Sequence, residues 1–93
     1  MVRAVRAYVA RSGCCATGAY RVGRVEVARS DPSWARTGLF GWEAPGHPVG
    51  GAEVILHRVG GRWQGVAIGT DSLGCAITSA AARREWDAGC PEG

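Results

Sequence analysis

The chain has 93 residues, 46% of them hydrophobic and 20% charged, and a formal net charge of +3. That is room for one domain around one core, in a composition that folds. No apolar run approaches the roughly 18–20 residues of a membrane helix, so a membrane is not expected as a partner. Every basic residue is Arg, and the absence of Asn removes any N-glycosylation acceptor. Six Arg (3, 6, 11, 21, 24 and 29) fall in the first thirty residues against Glu26 alone. They are spread singly, as on solvated faces, with no interleaved aromatics, so nucleic acid is not an expected partner either.

Val2, Val5 and Val9 recur at helical spacing, with Arg3 and Arg6 on the other side. This predicts an amphipathic helix over about 2–12, closed by Gly13. From Tyr20 to Ala28 the period becomes two, which reads as a strand. Ser30-Asp31-Pro32-Ser33 has turn chemistry, and Trp34 to Glu43 reads as a second strand. Ala44 to Gly51 holds two Pro and three Gly, which predicts a loop. Glu53–Val59 and Arg62–Ile68 are strands joined by Gly60-Gly61, a pair suited to a two-residue hairpin with positive φ. A last helix, capped by Thr78 or Ser79, runs through about Ala88, with Arg83 and Asp87 as an i,i+4 pair and Gly89 as its stop. Short connections make successive strands antiparallel neighbours. The expected fold is a single α+β domain: an N-terminal helix on a four-stranded antiparallel meander, with a short C-terminal helix.

Four cysteines, at 14, 15, 75 and 90, are an even number in a small domain and read as a disulfide framework. Zinc and redox centres would call for C-x-x-C spacing, which no pair has, and His47 and His57 are separated by loop and strand. The expectation is therefore an exported domain without metal or cofactor. The opening Met1–Arg6 is not signal-like, so export implies that a leader has been removed and Met1 added.

Gly61-Arg-Trp63-Gln-Gly-Val-Ala-Ile68-Gly69-Thr70, followed by Cys75, a short helix and Cys90, resembles the carboxyl half of small exported actinobacterial domains of unassigned function. Those carry a G-x-W-x-V-x-x-G-T run and a final pair of cysteines. The likeness covers about residues 50–90 and implies fold and export, but no activity; Cys14 and Cys15 depart from it. It pairs Cys75 with Cys90, a pairing that the short helix between them also permits, with a loop-closure contribution of about 3 kcal/mol. Cys14 and Cys15 are left to each other, to a second chain, or free. The order of helix and sheet is also similar to cystatin-like and NTF2-like rolls, which host binders and enzymes alike.

Catalytic constellations are weak. Asp71, Ser72 and His57 hold the residue types of a hydrolase, but Ser72 lacks the nucleophile elbow, and a local turn explains Asp71-Ser72 better. Glu43 and Glu53 flank the expected loop as strand-end acids. His57 shares a strand face with Ile55 and Val59, which suits a partly buried histidine. The aromatics are more informative. Trp34, Arg36, Gly38, Phe40 and Trp42 share one face of the second strand, and Ala35, Thr37 and Leu39 the other. Either the last helix, with Trp86, seals the aromatic face, as a small domain favours, or that face binds a partner. The functional expectation is a non-catalytic secreted module engaging a protein through Trp34, Arg36, Phe40, Trp42 and His47. The alternative is a small NTF2-like ligand-binding or enzymatic domain with a pocket around His57.

Overall fold

The computed structural model describes residues 1–12, 21–44, 47–69 and 73–88, the side chains of 41–51 excepted. Helix α1 spans Val2–Ser12 and turns Val5 and Val9 into the protein, as their spacing requires. Ser12 Oγ donates to the Val9 carbonyl at 2.8 Å, using an acceptor that the helix end leaves free. Five strands follow: β1 (Arg21–Val22), β2 (Glu26–Val27), β3 (Trp34–Ala44), β4 (His47–Val59) and β5 (Arg62–Gly69). A 3-10 turn, Leu73–Ala76, leads to helix α2, Ala80–Glu85. The sheet is antiparallel in the order β1-β3-β4-β5, with β2 also on β3. The fold is thus α+β, with an N-terminal helix, an antiparallel sheet and a short C-terminal helix. No helix is long and apolar enough to cross a membrane among the described residues.

The first strand expected from the sequence is two short pieces. Val22 pairs with Leu39 and Glu26 with Arg36, so four steps along this edge match three along β3. The extra residue is a bulge over 23–25. It lets Val22 and Val25, three apart, both pack against the α1 cluster. Thr37, buried in β3, donates its hydroxyl to the Gly23 carbonyl at 3.0 Å, and Gly23 N–H donates to Gly38 O at 2.8 Å. The irregular segment therefore keeps its polar groups satisfied.

Where a loop was expected over 44–51, Ala44 belongs to β3 and 47–51 to β4, while 45 and 46 lie outside the described residues. Trp42 pairs with Gly50 and Ala44 with His47, with register shifts on both sides of the Trp42 pair. Pro48 falls where β4 carries an extra residue, and a bulge tolerates a missing ladder donor. A further bulge corrects the alternation expected in β5. Ile55 pairs with Ala67 but Leu56 with Gly65, leaving Val66 as the extra residue. Simple alternation would put Trp63 on one face and both Val66 and Ile68 on the other, against α1; with the bulge Trp63 and Ile68 both join the α1 side, and Val66 is 40% exposed. Gly60 and Gly61 take φ of 60° and 78°, the two positive values that a type I′ hairpin turn requires.

Each sheet face has its own core. Val5 and Val9 pack on Ala35, Leu39, Ala52, Val54 and Leu56. On the opposite face Ile77, Ala82 and Trp86 pack on Ala28, Trp34 and Ile55. A six-residue helix is too short to persist by itself, and α2 is fastened at both ends. Ser79 caps it, accepting Ala82 N–H at 3.2 Å. At the other end the Glu85 carboxylate accepts the backbone N–H groups of Arg29 and Ser30, at 2.9 and 2.7 Å. The helix is shorter than expected and closes on Asp87, at φ 48°. Ala88 N–H reaches Arg83 O and Asp87 N–H reaches Arg84 O, the two bonds of a Schellman closure. That turn, rather than an Arg83–Asp87 ion pair, is what the last residues form. Gly13 and Gly89 lie outside the described residues.

Candidate functional site

The aromatic face of β3 is divided. At its start Trp34 is 3% exposed, covered by Trp86, Ile77 and Ala82, and its ring stacks on His57 with centroids 4.0 Å apart and planes 14° apart. This takes Trp34 out of the expected binding set and into the core. It also occupies one ring face of His57, as expected of a partly buried histidine. The neighbouring Asp31 accepts Ser33 Oγ at 2.7 Å. That hydroxyl, then the Ser79 hydroxyl and more weakly the charge of His57, hold its carboxyl below the ordinary range.

Further along, α2 no longer covers the face. Arg36 marks the boundary, since its guanidinium lies over the Trp86 ring, 4.8 Å from the centroid. It also donates to Glu26 Oε1 from Nη2 at 3.0 Å and from Nε at 3.2 Å. Glu26 and Arg36 are direct cross-strand partners, so the pair follows from register. The indole Nε1 of Trp86 is buried beneath them without a hydrogen-bond partner. Beyond Arg36 lies Phe40, 51% exposed. Its ring rests on two glycines: a Cβ at Gly38 would meet Phe40 Cζ at 2.7 Å, and one at Gly23 would meet Cε2 at 2.5 Å. The ring is thus pinned from below and open above.

Two clefts border this surface. One, of about 350 Å³, is lined by Arg24, Arg36, Gly38, Phe40 and Glu53 among others. The other, of about 770 Å³, runs past Arg24, Glu26, Arg29 and Arg36 to Glu85 and Trp86. Both include Arg24, Glu26 and Arg36, so they form one groove along the β1–β2 edge. Glu85 is held below the ordinary carboxylate range by the N–H groups of Arg29 and Ser30, with a smaller contribution from the Arg29 charge.

Of the expected binding residues, the structure brings Arg36 and Phe40 to this groove and buries Trp34. The side chains of Trp42 and His47, like those of Glu43 and the rest of 41–51, lie outside the described residues. So do Asp71 and Ser72, and also Cys14, Cys15 and Cys90; Cys75 is not a free thiol. Arg24, Arg29 and Glu26 were not singled out by the sequence, where each reads as a solitary surface charge. The signal available was the Val22–Val25 interval beside Gly23, which breaks the two-residue period and takes Arg24 and Glu26 off the face of Val22. Compared with protein-family models, curated proteins and solved structures, the chain finds no match.

Proposed function

We propose that this chain is an exported, disulfide-stabilised module that binds a protein partner and catalyses nothing. It engages that partner through the open end of the aromatic face. Phe40 is the anchor and Arg36 and Arg24 border it; Trp42 and His47 belong to the proposed set by their places on β3 and β4. The observation that carries this reading is Phe40 itself, a large apolar side chain half in water yet held flat on Gly23 and Gly38. A ring fixed before binding loses little rotamer freedom on contact, and exposed aromatics beside Arg are the usual anchors of interfaces. The Cys75–Cys90 bridge belongs to this proposal, as does export.

Site-directed photo-cross-linking tests it. A benzophenone side chain at position 24, on the groove, is compared with one at position 59, at the far hairpin, in the culture medium of the source organism. Covalent capture of a protein from position 24 alone is the expected outcome. Capture from position 59 alone would place the interface elsewhere and overturn the reading.

A further inference from the structure

The internal pairs of the groove involve only some of its charges. The Glu26 carboxylate is bound by Arg36, and the Glu85 carboxylate is filled by two backbone N–H groups. Arg24 and Arg29 are exposed, line the larger cleft together, and make no ion pair among the described residues. Arg24 also borders the smaller cleft, beside Phe40. Among the described residues Arg24 and Arg29 thus have no ion pair of their own, while Glu26 Oε1 takes Arg36 and both Glu85 oxygens take backbone N–H groups. The remaining acid, Glu53, lines the Phe40 cleft but not the larger one.

This pattern selects among anions. A polyphosphate backbone carries charge at every step, so along this groove it would also meet Glu26, Glu85 and Glu53. A peptide spaces its carboxylates singly between apolar side chains. It can therefore reach Arg24 and Arg29, seat an apolar residue on Phe40 and keep charge away from Glu53. Guanidinium groups match carboxylates with directed, charge-assisted hydrogen bonds. Resting on the binding reading above, we propose that the segment accepted by the groove is an acidic peptide, with carboxylates on Arg24 and Arg29 and an apolar side chain on Phe40.

The test is selection of linear dodecapeptides from a display library against the full chain. The enriched peptides are then measured on the parent, on Phe40→Ala and on the double variant Arg24→Gln/Arg29→Gln. The expected consensus has Asp or Glu next to a bulky apolar residue. Its affinity should fall about three- to tenfold in the double variant, and by a similar factor on raising NaCl from about 50 to about 300 mM. A neutral or basic consensus that Phe40→Ala still weakens would overturn the acidic class and leave the surface standing. Peptides indifferent to Phe40→Ala would remove the surface itself. A single-stranded oligonucleotide binding more tightly than the selected peptides at equal salt would overturn the peptide class.

Discussion

Gly65 is the position where helix and sheet come closest, and replacing it separates two effects of opposite sign. A Cβ there would lie 2.6 Å from Tyr8 Cβ and closer still to the ring. Because the obstacle begins at the Tyr8 Cβ, a rotamer change cannot clear it, and α1 must move off β5. Overpacking of this kind costs about 1–3 kcal/mol, which in a domain of this size lowers Tm by roughly 5–20 °C. The backbone is not the obstacle, since Gly65 is absent from the positive-φ glycines. Within a strand, Ala is otherwise preferred to Gly by about 0.5–1 kcal/mol. Gly65→Ala should therefore destabilise the parent chain but be neutral or stabilising when combined with Tyr8→Gly, which removes the Tyr8 Cβ together with the ring. Urea unfolding of the four proteins in a double-mutant cycle measures the coupling. An equal cost in both backgrounds would refute the close approach of Tyr8 and with it the placement of α1.

Asp87→Gly should stabilise the protein by about 0.5–1 kcal/mol, because glycine takes the left-handed C′ position of α2 without strain; a thermal melt checks it. Val9→Asp buries an unpaired charge at a site only 2% exposed, and should abolish cooperative unfolding. The carboxyls of Glu85 and Asp31 are both held below their ordinary range. Their contribution is complete above the unfolded-state value and is lost as pH falls through the lower folded values. Tm should therefore drop on acidification below about pH 4. Glu85→Gln should lower Tm at neutral pH and flatten that acid limb, since one amide oxygen replaces two acceptors.

The elements that local chemistry dictates were legible in the sequence. Val5 and Val9 marked the buried face of α1, although Val2, read with them, is exposed; Gly60-Gly61 marked the hairpin, and Thr78 or Ser79 the cap of α2, which is Ser79. What escaped depends on counts of residues between paired strands. The bulges at 23–25 and at Val66 each insert one residue, and every side chain beyond changes face relative to simple alternation. Pro48 and its neighbouring glycines argued for a loop because bulge placement is a tertiary decision. The division of the aromatic face was illegible for another reason. Trp34 and Phe40 occupy equivalent alternating positions on β3, and only the reach of a six-residue α2 buries one and leaves the other in water.

That division is the centre of the account, and paired truncation tests it most directly. Phe40→Ala and Trp34→Ala are compared by denaturant unfolding and by affinity for the cross-linked partner. Trp34→Ala empties a core site and should cost about 3–5 kcal/mol of stability. Phe40→Ala should cost only about 1 kcal/mol of stability, because half of the residue is already in water. It should nonetheless weaken binding by at least about thirtyfold, the loss of an interface anchor. A Phe40→Ala protein that is markedly destabilised while its affinity is unchanged would contradict the account, placing that ring in the core and the partner elsewhere.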